Sequence, residues 1–325
     1  MNMTGTNNLF AVGRIKALES NIIDINLWHR LFDMNEKEAL RILQENHYGG
    51  DSGDQQELET MIDNELASVH QLIKEVSPQP ILTNLFLLPV DGYNLKLLLK
   101  EKVQEVNVHS FLHEGGSISI DQMIDSLNAD RFDFFPEPIE RALLDLATQK
   151  DSRIISYTID QAIYSQIFNI LAQKKNHNHL LIEYFKSKID FTNIITVLRG
   201  NALHWEAIRV KPMLLKGGEI SLKIMESVVG AEKDKLIRKL STGRYSLTIR
   251  KVLDEFYNDM KMISLEQSFN NALLSIVFEE KNDIFGLGPI INYLLQKEHE
   301  AQVLRVMFTG KRAGIELSIS ELGIV

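Results

Sequence analysis

The residues with obvious chemical potential are few and far apart. His177-x-His179 could reach one metal ion, but Asn176 and Asn178 surround it and no acid is spaced to complete a ligand set. His109, His113 and Glu114 gather beside Gly115-Gly116, also without ligand spacing. Gly310-Lys311-Arg312 has the Gly-Lys of a phosphate loop, yet the glycine required five residues earlier is replaced by Arg305. Gly286-Leu287-Gly288-Pro289 lacks a third glycine and a preceding strand, so it reads as a turn with proline opening the next helix. No Ser or Thr stands in a nucleophile elbow, and there is no cysteine for a thiolate nucleophile, a disulfide or a soft metal site. These residue patterns predict no catalysis, no metal centre and no cofactor.

The cations show more order. Lys100, Arg199, Arg305, Lys311 and Arg312 fall at comparable places along a repeated helical pattern. One role for them is to offset the negative end of a helix dipole, worth a few tenths to about 1 kcal/mol each. The other is a set of basic ends that grips an acidic partner, which makes these five the candidate partner-binding residues.

The element that positions them begins Asp91-Gly92-Tyr93-Asn94, with Leu95, Leu98 and Leu99 on one helical face and Lys100 closing the segment. The pattern returns 99 residues later as Asp190, Asn193, Ile194, Val197, Leu198 and Arg199. A weaker copy follows after a further 110, with Glu300, Leu304, Met307 and Phe308, and with Val303 where the Asn stood. The acid is expected to cap its own helix. A second feature recurs as well: Leu112-His113-Glu114-Gly115-Gly116-Ser117 lines up with Leu214-Leu215-Lys216-Gly217-Gly218-Glu219 at an offset of 102. Gly-Gly supplies a tight turn, and Ser119 or Ser221 can cap the helix after it. Familiar helical solenoids repeat every ~33 to 47 residues. A period near 100 means that each unit is a small helical bundle, and three bundles can stack in a row or close around an axis.

Elsewhere the apolar spacing is helical too. Asn35 with Glu38 reads as a capping box, and Leu58, Ile62, Leu66, Val69 and Ile73 mark a long amphipathic helix from Asp54 to about Glu75. Thr158-Ile159-Asp160-Gln161 and Ser264-Leu265-Glu266-Gln267 read as matching N-caps, and shorter helices end near Tyr184 and Tyr293. Trp28 and Trp205 are expected in the core. The fold class is all-α, with repeat units 1–108, 109–207 and 208–325 forming one body.

With 44% hydrophobic residues the chain can bury a sizeable core, and a net charge of −9 opposes a general nucleic-acid binder. The polar N-terminus is unlike a signal peptide, and Leu85 to Val90 is far too short to span a membrane. Contact with a membrane is expected only through a partner.

The ordered set of Asp91-x-x-Asn94-Leu95, Asp190-x-x-Asn193-Ile194 with Arg199-Gly200, and Leu215-Lys216-Gly217-Gly218 resembles the C subunit of prokaryotic V-type (A-type) ATPases. The run from Tyr293 to Glu298 and on through Leu304-Arg305 to Gly310-Lys311 shares the resemblance, as does Tyr48-Gly49-Gly50. The eukaryotic relative is the d subunit of the vacuolar ATPase. Val303 and Gln302 depart from the usual pattern. The resemblance implies a funnel of three pseudo-symmetric helical bundles on the cytoplasmic face of the membrane rotor ring of proteolipid subunits. Such a chain receives the foot of the central stalk, made of the D and F subunits, and couples the two without an active site. A free-standing helical scaffold for soluble partners is the competing reading.

Overall fold

The computed structural model describes residues 3–50, 57–315, 317–319 and 321–324. Every regular element among them is helical, as the three-and-four spacing of the apolar residues predicts. In chain order the helices of six residues or more are α1 (Met3–Leu18), α2 (Ile25–Asp33), α3 (Glu36–Glu45), α4 (Leu58–Val76), α5 (Leu88–Gln104), α6 (Ile120–Ala129) and α7 (Glu137–Asp145). They continue as α8 (Ser152–Leu171), α9 (His179–Ala202), α10 (Leu222–Ser227), α11 (Lys233–Leu240), α12 (Ser246–Asp259), α13 (Met262–Phe278) and α14 (Gly288–Ala313). Among the described residues, none of these is long and apolar enough to cross a membrane.

The chain forms two compact units. The first combines Met1–Thr83 with Met260–Val325, and the second is Asn84–Asp259. Unit 1 is organised on α14, which buries residues all round its circumference, as a helix in the middle of a bundle must. It packs against α4, α13 and α1. Its Leu304, Met307 and Phe308 share one core with Trp28 and Leu31 of α2, Leu43 of α3 and Ile62 of α4. In unit 2, α8 packs against both α5 and α7, and α9 against α8 and α10. Helices α11 and α12 pair with each other, each burying one apolar stripe.

Several boundaries differ from expectation for identifiable reasons. Asp91 is not a cap: α5 starts three residues earlier, at Leu88 with Pro89 in second place, and Asp91 lies inside the first turn. Asp190 and Glu300 lie well within α9 and α14, which run unbroken for 24 and 26 residues. No separate helix ends at Tyr184 or Tyr293, because neither Gly nor Pro interrupts the chain there. The segments Thr158–Gln161 and Ser264–Gln267 are interior to α8 and α13, and Asp151 caps α8 instead. The expected start of the long helix at Asp54 lies outside the described residues, and α4 begins at Leu58. Asn35 does open α3, accepting from the Glu38 N–H at 3.0 Å, and Gly288-Pro289 opens α14 as the turn reading predicts.

Candidate functional site

The repeated acid and the repeated Gly-Gly turn are two halves of one device. Asp91 is fully buried, and its carboxylate accepts from the Ser117 hydroxyl and from the Ile118 N–H at 3.2 Å. One turn along α5, Asn94 trades two hydrogen bonds with the His113 backbone, donating at 2.8 Å and accepting at 2.9 Å. On α9, Asp190 accepts from the N–H groups of Glu219 (2.9 Å) and Ile220 (3.1 Å). Asn193 donates to the Leu215 carbonyl at 2.9 Å and accepts from its N–H at 2.8 Å. A helix thus clamps the turn that follows it, satisfying three backbone groups and the Ser117 hydroxyl in the first clamp and four backbone groups in the second. The two glycines divide the work. Gly115 and Gly217 take φ of +94° and +111°, open to a residue without Cβ, while Gly116 and Gly218 let the carboxylate approach.

Burial pushes the Asp190 carboxyl up to about 6, although the N–H groups of Glu219 and Ile220 pull it down. A carboxyl raised above its ordinary 3.8 keeps the native state more protonated between about pH 4 and 6. Its contribution to stability is therefore full below that window and lost as pH rises through about 6. Urea unfolding followed across this range should show the wild type losing stability relative to Asp190→Asn, which has no such titration. Parallel pH profiles for the two proteins would show that Asp190 ionises normally.

The third copy closes on the other end of the chain. Glu300 accepts from the Ile23 N–H at 2.5 Å, and Ile23 stands just before Asp24, the N-cap of α2. Ile118 and Ile220 likewise stand just before Ser119 and Ser221, the N-cap residues of α6 and α10. Val303 offers no amide, but Lys297, one turn before Glu300, donates to the Asn21 carbonyl at 2.6 Å. Lys297 is wholly buried and bridges Glu65 at 2.9 Å and Glu300 at 3.0 Å. Burial pulls the lysine pKa down, but Glu300 and Glu65 outweigh it and hold the value above normal. Burial likewise pushes Glu300 up to about 7, with Lys297 opposing. Glu65 also accepts from the Gly49 N–H at 3.0 Å. Gly49 has φ +79°, and a Cβ there would lie 2.5 Å from the Met61 carbonyl oxygen, which accounts for the first glycine of Tyr48-Gly49-Gly50.

The five candidate cations have different surroundings. Lys311 donates to the carbonyls of Phe32 (2.6 Å) and Met34 (2.5 Å), closing the end of α2, and Arg312 pairs with Glu36 in the first turn of α3. Arg305 is in mid-helix and pairs with Glu59 and Asp63 of α4. Lys100 is half-buried on α5, its pKa lowered by burial and by nearby Lys96. Arg199 is exposed near the end of α9. Trp205, expected in the core, is only half-buried, with the Arg209 guanidinium 4.0 Å above its ring. Sequence reasoning missed Lys297 and Glu65. The available signal was weak, a lysine three residues before Glu300 within the polar run Gln296 to Glu300.

Among the described residues no group of three or more His, Cys, Asp or Glu side chains is placed to hold a metal ion. The buried polar groups of the three clamps hold backbone or pair with one another. The family described as ATP synthase (C/AC39) subunit matches residues 11–319. The chain is 25% identical to the C subunit of the V-type sodium ATPase of Enterococcus hirae over 92% of each chain. It is 23% identical to the C subunit of the A-type ATP synthase of Methanosarcina mazei, covering 98% of this chain and 94% of the relative. For the corresponding protein of Thermococcus onnurineus the identity is 24%, over 78% and 70%. With the match spanning nearly its whole length, the chain belongs to the ATP synthase (C/AC39) subunit family.

Proposed function

We propose that the chain is a non-catalytic adaptor of a rotary V-type (A-type) ATPase. It couples a membrane rotor ring of proteolipid subunits to the D and F subunits of the central stalk, so that ATP hydrolysis or synthesis is linked to ion transport. It stands peripherally at the cytoplasmic face of the cell membrane and takes no cofactor. The observation that carries this reading is the family match across residues 11–319. The buried clamps support it physically, because a part that carries torque must resist deformation and close packing with satisfied polar groups supplies that stiffness. Three bundles, near residues 1–108, 109–207 and 208–325, arranged as a funnel belong to the same proposal. The recurrence of the clamp at Asp91, Asp190 and Glu300 supports them.

The test is a reconstituted ATPase with and without this chain. Omitting it should abolish ATP-driven ion pumping while ATP hydrolysis continues. Undiminished pumping would favour a scaffold for soluble partners instead. Of the five basic candidates, Lys100→Glu with Arg199→Glu is the pair to test in unit 2, and reversal of Arg305, Lys311 or Arg312 would break contacts between helices of unit 1. The pair should shorten retention of the chain in the complex as salt rises. Retention equal to wild type would remove these two from the interface.

A further inference from the structure

A second surface, apart from the clamps and the basic ends, has no role in that reading. From Lys233 to Lys251 the chain carries seven cations and one acid, Asp234, within a protein of net charge −9, with Glu232 just before this run and Asp254 and Glu255 just after it. The helical period explains how they are displayed. Helix α11 buries Leu236, Ile237 and Leu240, and α12 buries Ile249, Val252 and Leu253, so the charged residues are left on the outside of the pair. Four of the seven are engaged: Arg244 pairs with Glu183 at 2.6 Å, Lys239 donates to the Ser227 hydroxyl at 2.9 Å, Lys251 faces Glu255 at 3.9 Å, and Lys233 lies 5.5 Å over the Tyr257 ring. Lys235, Arg238 and Arg250 are exposed, and among the described residues no carboxylate pairs with them. Between Arg244 and Arg250 stands Leu247, 82% exposed at the start of α12.

We infer that this face of α11 and α12 docks on an anionic phospholipid bilayer, with the cations on headgroup phosphates and Leu247 entering the interface. Clusters of four to eight Lys and Arg on a helical surface suit such headgroups, and an added apolar side chain strengthens the contact. A protein partner fits less well, because interface cores are poor in lysine and rich in aromatics, and here lysine supplies four of the seven cations. Nucleic acid fits less well still, given the overall negative charge. The inference rests on the adaptor reading only in placing a membrane near the chain.

Flotation of the purified full chain with vesicles tests it without ring or stalk. Failure of the adaptor reading would therefore leave this result standing, and the reverse holds too. Binding is expected to vesicles of phosphatidylcholine with a third phosphatidylglycerol, to be absent with phosphatidylcholine alone, and to weaken as salt rises. Each cation at the surface is worth about fivefold in partitioning. Lys235→Gln with Arg238→Gln and Arg250→Gln should therefore lose about a hundredfold, with the thermal transition unchanged. The charge-preserving set Lys235→Arg, Arg238→Lys and Arg250→Lys should bind as wild type, and Leu247→Ser should lose several-fold. Equal binding to both vesicle types, or no loss in the triple Gln variant, would overturn the inference. Displacement by inorganic phosphate beyond that by chloride at equal ionic strength would point to a free-phosphate site and also overturn it. So would capture by poly-glutamate in the absence of vesicle binding.

Discussion

Lys297→Met should lower the stability of unit 1 by about 3–5 kcal/mol, the usual cost of leaving a buried charge without its partner. Lys297 is fully buried, and its ammonium is the shared partner of Glu65 and Glu300 as well as the donor to the Asn21 carbonyl. Methionine fills a similar volume, so the loss arises from the two carboxylates and not from a cavity. Each must then either protonate or remain charged in an apolar site. The measurement is urea unfolding followed by Trp28, which lies in the unit 1 core, in a Trp205→Phe background that removes the signal from unit 2. Adding Glu65→Gln and Glu300→Gln should recover most of the loss, because no buried charge then stands alone. A cost below about 1 kcal/mol for Lys297→Met would mean that water already reaches the cluster.

Gly218→Ala should cost about 2–4 kcal/mol in unit 2. A Cβ at this position would fall inside the Oδ1 atom of Asp190, 2.9 Å from its Cγ and 3.1 Å from Ile189 Cγ2. The carboxylate would have to swing off the Glu219 and Ile220 N–H groups, leaving buried donors unpaired. Gly116→Ala meets Asp91 in the same way, with a Cβ 3.3 Å from its Cγ and nearer still to Oδ1. By contrast, Gly13→Ala in α1 has open space and should gain up to about 1 kcal/mol. A double-mutant cycle between Gly218→Ala and Asp190→Ala locates the effect. Strong non-additivity is expected, since removing the carboxylate removes the clash. Additive costs would place the damage elsewhere in the turn.

The helical class and the repeat were legible because both rest on local spacing: apolar residues at three and four, and two motifs at offsets of 99 and 102. The role of the motif was not legible. Asp ahead of a helical run is ordinarily a cap, and only the fold shows Asp91 turned away from its own backbone toward Ile118, 27 residues on. Tertiary contacts likewise decided the cations. Dipole reasoning places Lys311 at a helix end, but not against the carbonyls that close α2, 277 to 279 residues away in sequence. The third clamp was the least readable, because its acid and its held segment lie at opposite ends of the chain.

That last contact sets an order of events during synthesis. Unit 2 is continuous in sequence and can complete its clamps as soon as residue 259 has emerged. The Ile23 N–H and the Asn21 carbonyl must wait for Glu300 and Lys297, some 277 residues later. At about 5–20 residues per second that is a delay on the order of tens of seconds. Throughout it, Trp28, Leu31 and Leu43 lack the Leu304, Met307 and Phe308 that cover them in the finished core. The amino-terminal helices are thus translated first and buried last. A nascent chain stalled before α14 would carry a folded middle and an apolar leading end, the kind of surface that chaperones hold.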